Sequence, residues 1–146
     1  MKAILLRTSL VVATCATPLA IAHPDAFAWS AANARASGTA VVNVKLSDFK
    51  VAPSVKSVKA GKVTFVVKNA ADMDHELVVI KTTRKAAKLP MSGGRASEKG
   101  SVGEAEDIAG GKTKRLTLTL KKGHYALICN IGGHYVAGMH ADFTVS

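Results

Sequence analysis

From residue 39 onward, apolar and polar positions alternate in short bursts. Val42, Val44 and Leu46 alternate with Asn43 and Lys45, the period of a half-buried strand. Ser47-Asp48-Phe49 then turns the chain, Pro53 interrupts any regular ladder, and Ser54 to Val58 reads as a weak strand before the Ala60-Gly61 turn. Val63, Phe65 and Val67 alternate with Thr64, Val66 and Lys68, so one face is apolar and the other partly so. That pattern predicts a mostly buried strand. Asn69 to Asp72 is a loop, and His75 to Ile80 is the next strand.

Between Thr82 and Asp107 the alternation fails. Thr82-Thr83 could cap a short helix through Arg84 to Leu89, ended by Pro90. A Gly/Ser/charge-rich stretch without periodicity follows. At roughly two dozen residues the 82–107 segment is a long insertion for a compact domain, and such insertions are either functional or mobile. Alternation returns at Leu116, Leu118 and Leu120. Past the Lys121-Lys122-Gly123 turn, Tyr125, Leu127 and Cys129 share one face, and Ala141, Phe143 and Val145 close the chain as a last strand. Short strands, frequent turns and no long helix predict an all-β domain, a sandwich or barrel of about seven to eight strands with one long insertion.

Composition adds a compartment and a charge. Lys2 and Arg7 precede the mostly apolar stretch from Leu10 to Ala22, and small-x-small sites follow at Ala20-Ile21-Ala22 and Ala26-Phe27-Ala28. This predicts a signal peptide over residues 1–28, cleaved after Ala22 or Ala28. Residues 29–38 would form a flexible N-terminus, and 39–146 one domain in a periplasmic or secreted protein with no remaining transmembrane segment. Of the two cysteines, Cys15 and Cys129, only Cys129 survives cleavage. A lone thiol in an oxidising compartment has no disulfide partner in its own chain, and a metal would occupy it. The formal net charge of +10 fits acidic partners or, equally, simple solubility. Nucleic acid is disfavoured as a partner, because aromatics make up only 5% of the chain and no basic stripe interleaves with them.

The candidate chemistry lies in Cys129-Asn130-Ile131-Gly132-Gly133-His134-Tyr135-Val136-Ala137-Gly138-Met139. A thiolate, an imidazole and a thioether stand at C-x4-H-x4-M spacing in one loop between two strands. Together with a second imidazole they make the ligand set of a blue-copper site. A cysteine alone at a strand end is ordinarily a small buried hydrophobe; His134 and Met139 change that reading. Gly132, Gly133 and Gly138 are expected to supply the backbone angles of a tight ligand loop. His124 lies five residues before Cys129 and points to the opposite face of a strand. His140 follows Met139 directly, and Met73 precedes His75 in a turn. These three are expected to be non-ligands.

Gly123 to Cys129, followed by Gly133-His134 and Gly138-Met139, resembles the C-terminal ligand loop of the cupredoxins. The spacing is most similar to that of rusticyanin, auracyanin and sulfocyanin. The resemblance covers roughly the last hundred residues. It implies a Greek-key β-sandwich holding one copper that cycles between Cu(I) and Cu(II). The metal ligands would be His75, Cys129, His134 and Met139, with Met139 weak and axial. The chain would then be an exported electron carrier, a monomer and not an enzyme, serving redox proteins with acidic docking surfaces. A periplasmic copper carrier or resistance protein using the same site is the alternative. Two departures stand out. Cupredoxins often carry Asn or Ser after the first histidine, where this chain has Glu76. Many have Pro-Gly-His where it has Gly132-Gly133-His134, which should loosen the loop.

Overall fold

The computed structural model describes residues 38–146; the expected signal peptide at 1–28 and the stretch 29–37 lie outside the described residues. The first strand, β1 (Ala40–Ser47), buries Val42, Val44 and Leu46 as its period demands. A turn at Asp48-Phe49 leads into β2 (Lys50–Pro53), which pairs antiparallel with β1. The weak strand expected over 54–58 shrinks to β3 (Ser57–Val58). The next strand, β4 (Gly61–Asn69), runs parallel to β1 and antiparallel to β9 (Thr113–Leu120), giving a four-stranded sheet in the order β2-β1-β4-β9. The second sheet is built on β5 (His75–Lys81), β8 (Ser101–Ile108), β10 (Gly123–Ile128) and β11 (His140–Val145). Its order is β3-β11-β10-β5-β8. The two sheets form a sandwich, and neither closes into a barrel.

Between the sheets lies one core, in which Val42, Val44, Phe65 and Val67 meet Leu77, Val79, Tyr125, Leu127 and Phe143. Phe65 and Phe143 cross it edge to face, their ring centroids 5.6 Å apart. Each such side chain contributes about 1.5–3 kcal/mol by leaving water.

A second core lies on the outer face of the five-stranded sheet. Leu77, Val78, Val79 and Ile80 are all fully buried, because alternate residues of β5 point into different cores. Val78, Ile80, Ala126 and Ile128 pack against Ala86, Leu89 and Ala96 of the insertion and against Tyr135. The apolar run on β5 therefore requires a cover, and the insertion supplies it.

Three expectations for 82–107 are corrected. The helix over Arg84 to Leu89 is a single 3-10 turn, Ala86–Lys88, whose N-cap, Lys85, makes no side-chain capping bond. Thr82 Oγ1 instead accepts from the N–H of Arg84, 3.1 Å away, which closes a local turn that competes with a helix start. The stretch after Pro90 holds the hairpin of β6 (Met91–Ser92) and β7 (Arg95–Ala96). The last part, 101–107, belongs to β8, an edge strand paired with β5 through two register shifts. Only Ala105 and Ile108 of β8 are buried, so its apolar positions show no period of two. At Gly103 a Cβ would sit 2.6 Å from Leu118 Cδ2, so a glycine lets this edge approach the other sheet.

Candidate metal centre

Two segments meet at one end of the sandwich. His75 opens β5, and the loop 129–139 joins β10 to β11. The loop is wound by its own main chain. The N–H groups of His134, Ala137 and Gly138 donate to the carbonyls of Ile131, Gly133 and Tyr135 at 2.9, 3.0 and 3.1 Å. Gly133 and Gly138 take left-handed φ values of 85° and 114°, as expected for two of the three loop glycines; Gly132 does not share that conformation. A Cβ on Gly138 would come within 3.3 Å of the Phe49 carbonyl oxygen, so the β1–β2 turn packs against the loop.

His75 Nδ1, Cys129 Sγ and His134 Nδ1 converge. The two nitrogens are 3.3 Å apart, and the sulfur lies 3.7 Å from His75 Nδ1 and 3.4 Å from His134 Nδ1. The point equidistant from all three is about 2 Å from each, the length of metal–imidazole bonds and close to that of metal–thiolate bonds. These three residues form the one His/Cys/carboxylate cluster among the described residues that could hold a metal ion.

Met139 completes the set of predicted residues. Its side chain is fully buried in the same core cluster as Cys129. Its carbonyl accepts from the N–H of Cys129 at 3.0 Å, and its own N–H donates to the His134 carbonyl at 3.1 Å. The main chain thus ties Met139 to both Cys129 and His134.

The electrostatics suit a cation. Burial pushes the Cys129 thiol up, only partly offset by the N–H groups of Glu76 and Ile131 directed at the sulfur. A thiolate there calls for a positive charge beside it. Burial also lowers His75, and the neighbouring His134 adds to that, while Asp48 and Asp74 oppose it. His75 is therefore neutral near pH 7, the form that can donate a lone pair. With Nδ1 facing the cluster, its proton belongs on Nε2, which is buried without a hydrogen-bond partner.

Two of the three residues expected to stand aside, His124 and His140, are not in that cluster, and each of the three has other neighbours. The His124 ring lies between the Thr82 carbonyl at 3.1 Å and Asp142 Oδ1 at 2.8 Å. His140 packs on Tyr135 with ring centroids 5.4 Å apart. Met73 is exposed, and its carbonyl accepts from Asn69 Nδ2.

Sequence reasoning missed three supporting residues. Asn130 uses its N–H to bond Glu76 Oε1 at 2.9 Å and its side chain to reach the insertion. Tyr135 is buried, and its hydroxyl bonds Ala86 and Leu89. Phe49 sets its ring edge-on to His134, 6.2 Å between centroids. Adjacency to Cys129 or His134 was the available signal for the first two; nothing local pointed to Phe49.

A two-sheet β-sandwich that gathers a buried thiol and two imidazoles at one end defines a class of single-metal proteins. The chain belongs to the family described as the cupredoxin-like domain, whose model matches residues 19–142. No curated protein sequence matches it. Among solved structures, dithionite-reduced auracyanin from Roseiflexus castenholzii superposes with a TM-score of 0.56 at 21% identity, over 75% of this chain and 98% of that one. Auracyanin A from Chloroflexus aurantiacus, described as a "blue" copper protein, gives 0.55 at 21% identity, over 75% and 100%. Rusticyanin from Thiobacillus ferrooxidans gives 0.55 at 17% identity, over 75% and 79%. At these identities the likeness is one of fold.

Proposed function

We propose that this chain is an exported blue-copper protein that carries single electrons between redox partners. The observation that carries the reading is the triangle of His75 Nδ1, Cys129 Sγ and His134 Nδ1, with fully buried Met139 held beside it. A copper ion there would supply a one-electron Cu(I)/Cu(II) couple. The chain's part would be to hold that ion through the imidazoles of His75 and His134 and the thiolate of Cys129, in one arrangement for both oxidation states, with Met139 as a weaker donor. The β-sheet framework on both sides of the loop keeps that geometry from relaxing.

Burial favours electron transfer over copper delivery. His75, Cys129 and Met139 are inaccessible, so handing the ion on would require the loop to open. His134 is the partly exposed member of the set and offers the route for electrons. Exposed Phe49 and Val136 lie near it, an apolar surface suited to brief docking. The formal net charge of +10, which becomes +9 once Lys2, Arg7 and Asp25 leave with the leader, would draw acidic partners toward that surface. Export rests on the leader read in residues 1–28, leaving one domain over 39–146.

The test is to add Cu(II) to the purified protein and record its visible spectrum. An intense thiolate-to-copper band is expected, absent from C129S. A band that survives C129S would place the metal elsewhere.

A further inference from the structure

The residue immediately after each of the two loop donors is anchored outside the sandwich. Asn130 follows Cys129, and its side chain makes three bonds to the insertion. Its Oδ1 accepts from the Ala96 N–H at 2.7 Å, and its Nδ2 donates to the Ala96 carbonyl at 2.9 Å and to Glu98 Oε1 at 2.7 Å. Tyr135 follows His134. Its hydroxyl donates to the Ala86 carbonyl at 2.6 Å and accepts from the Leu89 N–H at 3.0 Å. Both residues are buried, at 2% and 4% exposure, so these bonds face little competition from water. A third tie joins the Gly133 N–H to the carbonyl of Gly94 at the hairpin tip, 3.5 Å apart.

We propose that Asn130 and Tyr135 are positioning residues through which the segment 82–100 holds the ligand loop in its metal-ready shape. The loop has glycine at both positions before His134, and glycine leaves the backbone many alternatives. Its own turn bonds do not fix it against the sheet. The anchors do, by bonding each donor's neighbour to a segment that is itself packed on Val78, Ile80, Ala126 and Ile128. Cys129 and His134 are thereby fixed from outside as well as from the sandwich. The segment 82–100 is a wall of the metal site, and breaking its bonds to Asn130 and Tyr135 would free the loop while leaving the strands of both sheets paired. This inference rests on the copper reading only for its spectroscopic arm.

The test compares N130A, Y135F and V42A. N130A removes the three side-chain bonds but keeps the main-chain N–H that Glu76 accepts. Y135F removes a single hydroxyl and retains the packing. Val42 is a core residue of β1 in the other sheet, so V42A serves as a control for global destabilisation. The first readout is the reaction rate of the Cys129 thiol in metal-free protein with an aromatic disulfide. Loss of one to two net hydrogen bonds should open the loop locally, so N130A should react about tenfold faster than wild type and Y135F severalfold faster. V42A should stay within about twofold of wild type, because it does not act on the loop. The second readout, after Cu(II) is added, is the ratio of the thiolate-to-copper bands, which should change in N130A and Y135F but not in V42A. If the two anchor variants react no faster than V42A and keep the wild-type band ratio, the anchors are merely structural and the inference fails. A wild-type protein with no such band would sink the copper reading, and the thiol rates would still decide this one.

Discussion

Glu76 Oε1 accepts a hydrogen bond from the main-chain N–H of Asn130 at 2.9 Å, joining the residue after His75 to the residue after Cys129. The two segments that carry the donors are 54 positions apart in sequence at this bond. An acidic side chain thus does the tying for which cupredoxins often carry Asn or Ser, and it brings a charge with it.

That charge predicts the behaviour of E76Q. Burial raises the Glu76 carboxyl above its ordinary 4.5; the Asn130 N–H and Arg95 pull back, while Glu98 and Glu104 add to the rise. A carboxyl raised by folding costs stability as pH climbs from 4.5 through its folded value, and the full cost applies above that. Glutamine keeps the acceptor without the charge. Metal-free E76Q should therefore melt a few degrees above wild type at pH 7 and show no gain at pH 4. In the copper form, removing a negative charge beside the thiolate should favour Cu(I) and raise the reduction potential. Thermal melts at the two pH values and voltammetry check both; a lower melting temperature at pH 7 would refute the argument.

Asp142 behaves in the opposite sense. Burial alone would raise it, but the Ala86 N–H, the His124 ring and Lys85 more than reverse that, and its carboxyl lies below the ordinary 3.8. Its stabilisation is present above pH 3.8 and lost as pH falls through the lower folded value. D142N should melt below wild type at pH 7, by a modest margin since the side chain is 43% exposed. The two curves should converge in acid. A margin that is constant with pH would remove the carboxylate's charge from the account.

Met139 should tune the site more than hold it. A thioether is a weak donor to Cu(II), and Leu fills nearly the same buried volume. M139L is expected to keep copper and colour and to raise the potential. Equilibrium dialysis and voltammetry test this, and loss of copper would make Met139 a primary ligand.

Among the exposed cations of the insertion, Arg95 is placed best to steer a partner. It stands next to Gly94, whose carbonyl meets the Gly133 N–H of the ligand loop. Stopped-flow electron transfer with an acidic redox protein should slow as ionic strength rises. At low salt R95E should slow it severalfold, and more than K88E does. Equal effects from the two variants would indicate general charge attraction without a docking role for the hairpin.

Local chemistry alone made several features legible. The alternation in β1, β4 and β9, and the apolar face shared by Tyr125, Leu127 and Cys129, appear in sequence because a strand's period of two needs no distant partner to be seen. Cys129, His134 and Met139 appear because their spacing is short and their residue types are rare together.

Tertiary structure decided what depended on remote contacts. β8 escaped detection because its register shifts break the period, and its pairing with β5 is what makes it a strand. Beyond the short helix read at its start, the 82–100 segment looked irregular because its order comes from covering a sheet face made by Val78 and Ile80 of β5 and Ala126 and Ile128 of β10, with few apolar residues of its own. Whether His75 reaches Cys129 depends on the pairing of β5 with β10, which aligns Val78 with Ile128 and so brings the start of one strand to the end of the other. Asn130 and Tyr135 became site residues for the same reason. A hydrogen bond spanning tens of residues leaves no periodic trace in the chain, and only the closed sandwich brings its donor to its acceptor.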